Sequence, residues 1–186
     1  MRIAGGRFGG RLVKTPSSGA TRPTQDRVRE ALFSMLAEVV PGSRFLDLYA
    51  GTGAVGIEAL SRGASSVVWV EGDRAMARLI AENVAAIAGA EHAGAVRCGD
   101  VRRWISSARG IAPFDIVFAD PPYSDGRDGA LADIAAGLPP AGLVTRRAVF
   151  VAEVPVDSSV GDIDGWAVLR DRSYGKSRLV IRQREI

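Results

Sequence analysis

An aspartate inside a predicted strand is the first feature of this sequence that could do chemistry. Asp47 lies in an apolar run over residues 44–50, four residues ahead of the turn Gly51-Thr52-Gly53, and a helical pattern follows. Such a strand-turn-helix junction presents backbone N–H groups and the helix dipole to a ligand. The Asp47 carboxylate would sit badly beside a pyrophosphate, but it would suit a ligand that carries an ammonium and a sulfonium.

The glycines of this turn leave two interpretations open. Gly51, Gly53 and Gly56 also follow the spacing of the dinucleotide-binding fingerprint, so this motif alone fits a NAD site or another nucleotide fold about equally well. Glycine lets many kinds of ligand approach the backbone closely. A second motif is needed to decide the chemistry.

That second motif is Asp120-Pro121-Pro122-Tyr123, at the end of a predicted strand over 114–120. The exocyclic amino nitrogen of a base is a poor nucleophile, because its lone pair is delocalised into the ring. The Asp120 carboxylate and the Pro121 carbonyl could accept its two hydrogens and leave the lone pair facing a methyl donor, while the two prolines rigidify the turn. Tyr123 could stack on a base pulled from its helix, which is worth ~1–3 kcal/mol. Taken alone, the motif would also fit a proline-rich turn after a strand.

Cysteine and histidine are too scarce for two other chemistries. Cys98 is the single cysteine and His92 the single histidine, so the sequence contains no zinc constellation and no internal disulfide. Methylation of cytosine C5 requires a cysteine nucleophile at the target base, whereas Cys98 is not in a Pro-Cys pair and lies away from the Asp120 motif. A metal-free site that methylates an amino group is the preferred interpretation.

Alternating strands and helices must position these motifs. The apolar patterns predict strands near 44–50, 66–71, 94–98, 114–120 and 147–154, and helices near 54–62, 74–88, 101–109 and 128–137. Such alternation predicts an α/β fold with a parallel sheet covered on both faces. Two further β-rich runs, 165–172 and 177–184, predict a closing antiparallel hairpin. Both motifs then lie at the carboxyl ends of strands, where open α/β sheets bind their ligands.

Two more acidic residues follow predicted strands. Glu71 comes 24 residues after Asp47 and could accept hydrogen bonds from both hydroxyls of a ribose. Asp73 is the candidate N-cap of the next helix, which leaves Glu71 for the ligand. Asp100 follows the third strand, where it could serve a ligand or simply cap a helix.

The amino terminus is expected to form a small basic hairpin. Residues 2–6 and 10–14 read as two short strands around a glycine-rich turn, and residues 16–19 as a linker. A hairpin of this size would be marginal unless it docks on the body or on a ligand, and its arginines favour the ligand. A helix is then expected from an N-cap at Thr24 to the stop at Pro41-Gly42.

The net charge of +3 conceals a segregation of charge along the chain. Residues 1–30 carry +5, residues 170–186 carry +4, and the remaining middle carries −6. Basic ends on an acidic body suggest a polyanionic partner, although basic tails could equally serve solubility. No apolar run approaches membrane-spanning length and no signal region opens the chain, so a cytoplasmic protein without a membrane partner is expected.

The motifs together resemble a known family. Asp47-Leu48-Tyr49-Ala50-Gly51-Thr52-Gly53 resembles the first motif of the class I S-adenosylmethionine (SAM) methyltransferases, and the Asp120 motif resembles the box of those that methylate exocyclic amines. Nearly the whole chain is similar to the bacterial 16S rRNA guanine-N2 methyltransferases that modify guanine 966. The stretches that carry this wider resemblance are 2–6, 10–11, 21–24, 58–63 and 174–175. The departures, Ala4 and Ser177, do not touch the expected chemistry.

The resemblance implies a fold and a division of the chain. The fold is a Rossmann-like class I methyltransferase with a seven-stranded, mostly parallel sheet, an antiparallel last strand, helices on both faces and a small N-terminal β-hairpin. Residues 1–20 would form the basic hairpin extension and residues 21–186 the SAM-dependent methyltransferase domain. The protein is expected to be a monomer that binds 16S rRNA in the small ribosomal subunit or its assembly intermediate.

The resemblance also implies roles for individual residues. Asp120, Pro121 and Tyr123 would be catalytic, with Asp100 receiving the adenine amino group and Val101 flanking the adenine ring. The residues expected to bind SAM are Asp47, Tyr49, Ala50, Gly51, Thr52, Gly53, Glu71, Gly72, Asp100, Val101 and Asp120. The residues expected to bind RNA are Arg2, Arg7, Arg11, Lys14, Arg22 and Tyr123.

Two other functions compete with this one. A DNA amino methyltransferase acting on adenine N6 or cytosine N4 would use the same site, but 186 residues leave little room for a sequence-reading domain. A non-catalytic nucleic-acid-binding assembly factor would not need an intact motif at residues 120–123.

Overall fold

A computed structural model describes residues 1–16, 23–93, 95–121, 129–158 and 160–185, with the backbone alone for residues 23–25 and 93. The strands are β1 Arg44–Leu48, β2 Ser66–Glu71, β3 Val96–Cys98, β4 Phe114–Ala119, β5 Val144–Pro155, β6 Trp166–Tyr174 and β7 Ser177–Arg184. The helices are α1 Pro23–Met35, α2 Ala54–Ser61, α3 Arg74–Ile87, α4 Ala90–Ala93, α5 Val101–Ser107 and α6 Ala130–Gly137. Within these described residues, no helix is long and apolar enough to cross a membrane.

The strands form a seven-stranded sheet in the order β3-β2-β1-β4-β5-β7-β6. Strands β1 to β5 are parallel, and β7 is antiparallel to both β5 and β6. The predicted α/β class, the mostly parallel sheet and the antiparallel last strand are therefore confirmed. The strand order reverses between β1 and β4, which is where such sheets open a crevice for ligands.

Both faces of the sheet are covered by apolar packing. Neighbouring residues of β1 enter different core clusters, Phe45 the first and Leu46 the second, because successive strand side chains point to opposite faces. The first cluster takes apolar residues from α1, α2 and α3, and the second from α5 and α6. The predicted coverage by helices on both faces is thus confirmed.

Several element boundaries differ from the sequence prediction. Helix α1 starts at Pro23, a residue suited to the first helical position, and ends at Met35 instead of continuing towards Pro41. The short helix α4 was not predicted, and it takes up the residues just before β3, which begins at Val96. Element ends are set by local turns that the apolar pattern does not encode.

The N-terminal segment, residues 1–16, forms less of a hairpin than expected. A single antiparallel bridge joins Arg2 to Leu12, and the residues between them contain a 3₁₀ turn over Gly6–Phe8. Two regular strands were therefore the wrong description, because the glycines favour a tight turn over ladder pairing. The division of the chain at residue 20 falls among residues 17–22, outside the described residues, and stays a prediction.

The N-terminal segment docks on the body instead of projecting from it. Its buried apolar side chains, Ile3, Phe8 and Val13, belong to the first core cluster. Glu58 of α2 is fully buried and accepts hydrogen bonds from the backbone N–H groups of Ala4, at 2.7 Å, and Gly5, at 2.8 Å. Of the two docking sites considered, the body or a ligand, the ligand was favoured, but the segment docks on the body, which supplies these partners.

Candidate active site

A cavity of about 520 Å³ opens at the carboxyl edge of the sheet. That volume lies within the usual range for sites of small molecules and cofactors. Its lining residues come from β1, β2, β4, β5 and β7 or from the loops that follow them, together with the starts of α3 and α5. They are Tyr49, Gly51, Glu71, Gly72, Met76, Asp100, Val101, Asp120, Pro121, Glu153, Val154, Pro155 and Ser177.

Most of the predicted site residues meet in this cavity. Of the residues expected to bind SAM or to act in catalysis, those on its wall are Tyr49, Gly51, Glu71, Gly72, Asp100, Val101, Asp120 and Pro121. They come from four separate strand ends, so only the parallel sheet brings them together. Pro122 and Tyr123 lie outside the described residues, and the stacking role of Tyr123 stays a prediction.

Asp47 lies behind the glycine-rich turn instead of on the cavity wall. Its side chain is 1% exposed and accepts a hydrogen bond from the backbone N–H of Gly56 at 2.9 Å. Alternation along β1 places Asp47 on the same face as Phe45, towards α2. There it serves an N–H in the first turn of α2, whose N-cap, Gly53, has no side chain to do so.

The surroundings of Asp47 disfavour its charge. Burial raises the pKa of the Asp47 carboxyl well above its usual range, against the opposing hydrogen bond from Gly56. The carboxylates of Asp120 and Glu71 raise this pKa further. Asp47 is thus electrostatically coupled to two residues of the cavity wall, although it does not line the cavity. A direct contact between Asp47 and a ligand stays a prediction.

Glu71 ties two loops of the site together. Its Oε2 accepts the N–H of Gly51 at 2.9 Å, and its Oε1 accepts the N–H of Asp73 at 2.8 Å. Each carboxylate oxygen has a second lone pair, so Glu71 can still accept hydrogen bonds from a ligand in the cavity. Asp73 caps α3 by accepting from Met76 at 2.8 Å, which confirms the role expected for it.

Asp100 fills both of the roles that the sequence left open, capping a helix and lining the site. Its Oδ1 accepts the N–H of Arg103 at 2.9 Å and so caps α5, and the residue also lines the cavity. The cap fixes the orientation of the carboxylate, while its second oxygen remains available to a ligand. Val101, the first residue of α5, is buried beside it.

The backbone of the turn after β1 is held in unusual conformations. Tyr49 has a φ of 58°, in the left-handed region that residues other than glycine rarely adopt. Gly53 has a φ of 78°, and a Cβ there would lie 2.8 Å from Ile80 of α3. Ala50 and Thr52 do not line the cavity, and the Thr52 carbonyl accepts a hydrogen bond from Asn83 at 3.0 Å. These two residues and Gly53 shape the loop from behind.

Asp120 and Glu153 form the most perturbed pair of the site. Desolvation, followed by the charge of Glu153, raises the pKa of Asp120 to about 7, although its side chain is exposed on its cavity side. Burial likewise raises the pKa of Glu153, against a hydrogen bond from Ser177. Acidic residues with perturbed pKa values in a cleft mark a functional site.

The lining carboxylates give the cavity a strongly negative character. Glu71, Asp100, Asp120 and Glu153 line it, and no arginine, lysine or histidine is among the described lining residues. Such a site fits a cation such as the sulfonium of SAM and disfavours a pyrophosphate. Among the described residues, no group of three or more His, Cys, Asp or Glu side chains is placed to hold a metal ion. The predicted lack of a metal stays a prediction.

The predicted RNA-binding residues of the N-terminal segment are exposed. Arg2, Arg7, Arg11 and Lys14 lie on the surface, while Arg22 falls outside the described residues. The Arg7 guanidinium lies 4.5 Å from the centre of the Phe8 ring, and Arg11 donates to the Ile87 carbonyl. The segment is linked to the site by Asn83, which bonds the backbone of Lys14 as well as Thr52.

Comparison with known proteins decides the family. The family described as Conserved hypothetical protein 95 matches residues 1–183. The chain belongs to this family.

Several proteins with sequences similar to this chain are named as methyltransferases. It is 35% identical over 186 residues to Ribosomal RNA small subunit methyltransferase D of Escherichia coli K12, covering 100% of this chain and 90% of the relative. It is 32% identical to YlbH of Bacillus subtilis, named as an rRNA methyltransferase, over 97% of both chains. The solved structure of Escherichia coli yhhF, described as a methyltransferase, superposes with a TM-score of 0.83 at 32% identity, covering 100% of this chain and 98% of that one.

Sequence reasoning missed five of the residues that line the cavity. Met76, Glu153, Val154, Pro155 and Ser177 line it without having been expected there. One signal was available, because Glu153 follows the apolar run 148–152 as Glu71 and Asp120 follow theirs. The position of Ser177 had no such signal, since it depends on the antiparallel return of β7 beside β5.

Proposed function

We propose that this protein transfers a methyl group from SAM to the exocyclic N2 amino group of guanine 966 in 16S rRNA of the small ribosomal subunit. One observation carries the proposal: an acidic cavity at the carboxyl edge of the sheet has Asp120 and Pro121 on its wall, in a chain of this family. The reaction is assigned to the bacterial cytoplasm, where small ribosomal subunits are made.

The cofactor half of the cavity is the part formed by β1, β2 and β3. Glu71 would accept the ribose hydroxyls, Asp100 the adenine amino group, and Val101 would pack against the adenine ring. Asp47 would act indirectly, by holding the turn through its hydrogen bond from the Gly56 N–H. When bound, SAM supplies a methyl group already activated on a sulfonium, so neither a metal ion nor a covalent enzyme intermediate is required.

The acceptor half begins at Asp120. Its carboxylate and the Pro121 carbonyl would accept the two N2 hydrogens and aim the lone pair at the methyl carbon. The nitrogen–carbon bond forms as the sulfur–carbon bond breaks, and the extra proton leaves the nitrogen. Asp120, with a pKa of about 7, is well suited to take up that proton. Positioning of this kind can lower a barrier by up to roughly 7–11 kcal/mol.

The phosphate backbone of the substrate would stay outside the acidic cavity, and only the target base would enter it. A flipped guanine is neutral and can enter, whereas the phosphate backbone is repelled by the lining carboxylates and attracted by basic residues around them. The exposed basic residues of the N-terminal segment are the candidates for this contact. Unstacking the target base costs a few kcal/mol, and less where the base lies in a loop.

Small ribosomal subunits that lack the modification provide the test. Incubated with this protein and labelled SAM, they should acquire label at one guanine, identified by mapping of the rRNA. Asp120→Ala should abolish this transfer and still bind SAM in a titration, because the cofactor half is left intact. Asp133→Asn, on the exposed face of α6, is the matched control and should transfer normally.

The same assay separates the competing functions. Duplex DNA added in competition should neither gain label nor slow labelling of the subunits. Label in DNA alone would instead identify a DNA amino methyltransferase. RNA binding without any transfer by the wild-type protein would identify a non-catalytic assembly factor.

A further inference from the structure

Glu153 stands beside Asp120 on the next strand of the sheet. Ala119 of β4 pairs with Ala152 of β5, so Asp120, just after β4, and Glu153, near the end of β5, occupy neighbouring positions. Both line the cavity. The proposed mechanism uses Asp120 and gives no role to the second carboxylate.

Glu153 lies on the side of the cavity away from the cofactor residues. Along the edge of the sheet the acidic residues follow the strand order, from Asp100 after β3 through Glu71 to Asp120 and then Glu153. The cofactor half covers β3, β2 and β1, so the base must enter on the β4 and β5 side. Glu153 therefore lies on the side where, under the proposed function, the acceptor base would enter.

The carboxylate of Glu153 is held in place but not neutralised. Ser177 of β7 donates a hydrogen bond to it, and Ser177 lines the cavity too. The adjoining cation on β7, Arg178, is paired instead with Asp171 and with the Ser158 carbonyl. An oriented carboxylate with spare lone pairs in a cleft fits a ligand that offers N–H donors.

The chemistry of the bases indicates which donor this is. Guanine carries its exocyclic amine next to a ring N1–H donor, whereas adenine and cytosine both carry theirs next to a ring nitrogen acceptor. We propose that Glu153 accepts the N1–H of the target guanine, so that Asp120 and Glu153 together read the N2 and N1 donors and reject adenine and cytosine. An ionised carboxylate opposite a ring acceptor would place two lone-pair groups against each other and leave both without a hydrogen bond. The inference rests on the proposed function and specifies how its site recognises the base.

The test uses small-subunit particles rebuilt from ligated rRNA that carries either guanine or 2-aminopurine at the target. 2-Aminopurine keeps the N2 amine but has an acceptor at N1 and lacks O6. The wild-type protein should prefer guanine in kcat/KM by roughly a hundredfold, since 2-aminopurine cannot donate a hydrogen bond to the charged group. Glu153→Gln can turn its amide to donate to N1, so its preference should fall to within about fivefold.

Comparing the two proteins isolates the N1 contact, because the missing O6 affects both alike. A merely structural role for Glu153 would lower the rates on both substrates and leave their ratio unchanged, which would overturn the inference. A wild-type preference near one, which needs no variant to measure, would also overturn it. Loss of SAM affinity in Glu153→Gln with an unchanged ratio would assign the residue to the cofactor instead. Failure of the wild-type protein to methylate any guanine would reject the proposed function itself.

Discussion

The carboxyl group of Asp120 is exposed to the cavity, yet its pKa is raised to about 7 by desolvation and by the charge of Glu153. Near neutral pH a large fraction of the free protein therefore carries this group protonated. A sulfonium cation in the cavity would favour the ionised form. Binding of SAM should thus release a proton from this residue at pH values between its lowered pKa in the complex and about 7.

The affinity for SAM should accordingly rise with pH and level off above pH 7. If the cation lowers the pKa of Asp120 to about 5 or below, the dissociation constant at pH 6 should be roughly tenfold larger than at pH 8, from linkage alone. Calorimetric titrations at several pH values measure this, and Asp120→Asn should lose the Asp120 contribution. The α-amino group of SAM also titrates near pH 8, but it is common to both proteins. Equal pH profiles for the two would contradict the assignment.

At the scale of elements, the N-terminal segment and α2 form one unit. Glu58 joins them with hydrogen bonds to Ala4 and Gly5, a hydrogen bond from Arg62 at 2.8 Å, and an ion pair with Arg29 at 3.5 Å. Ser61 adds a bond from the Phe8 N–H at 2.9 Å. The stretch 58–63 that resembles the family is therefore the surface on which the N-terminal segment docks.

Glu58→Ala should be strongly destabilising, because it removes the fully buried carboxylate that pairs with the buried Arg29 and accepts hydrogen bonds from two part-buried backbone N–H groups, and it leaves Arg29 with Asp26 as its remaining ion-pair partner. Breaking a buried ion pair in this way costs about 3–5 kcal/mol of unfolding free energy. Urea unfolding followed by circular dichroism measures the change. Glu82→Ala, which removes an exposed ion pair with Lys14 at 3.6 Å, is the matched control and should change little. Similar midpoints for the two variants would show that Glu58 does not anchor the segment.

At the scale of the whole molecule, the two basic ends of the chain differ. Arginines of the N-terminal segment are exposed, whereas Arg182 of β7 is buried and donates to the carbonyls of Val160 and Gly161. Arg184 likewise donates to carbonyls near the start of β5. Part of the C-terminal charge therefore holds the closing hairpin in place, and the N-terminal surface is the stronger candidate for RNA.

The triple variant Arg2→Gln, Arg7→Gln and Arg11→Gln should weaken RNA binding and reduce its dependence on salt. For every phosphate that is no longer neutralised, the slope of log affinity against log salt should fall by about 0.7–0.9. Filter binding of small-subunit RNA across a salt series provides the slopes. Arg146→Gln with Arg147→Gln, exposed near the start of β5, should leave the slope unchanged. Equal slopes for the triple variant and wild type would show that these arginines do not bind phosphates, and would leave solubility as the explanation of their charge.

Substitution is the suitable test here because the segment cannot be removed cleanly. Deleting it would take Ile3, Phe8 and Val13 out of the first core cluster and expose the apolar surface that they cover. Weaker RNA binding would then report unfolding as much as the removal of arginines that bind phosphate.

Local patterns in the sequence were enough to predict the alternation of strands and helices, apart from the short helix α4, and with it the α/β class. Period-two and period-3.6 patterns are local, so they survive without tertiary information. The same holds for Glu71, Asp100 and Asp120, each placed at a strand end by the apolar run before it. Parallel strands then bring such ends to one edge of the sheet.

The positions of the remaining site residues depend on how the strands and helices pack together. Asp47 was expected on the cavity wall. Its position in β1 instead turns its side chain towards α2, where it accepts a hydrogen bond from the Gly56 N–H. Glu153 and Ser177 entered the site because β5 follows β4 and β7 returns beside β5, pairings that no local pattern encodes. The N-terminal segment was expected to dock on the body or, as its arginines favoured, on a ligand, and its backbone binds the body through a buried carboxylate 53 residues away. Contacts between residues distant in the chain depend on the packed sheet, and the sequence pattern carries no direct record of them.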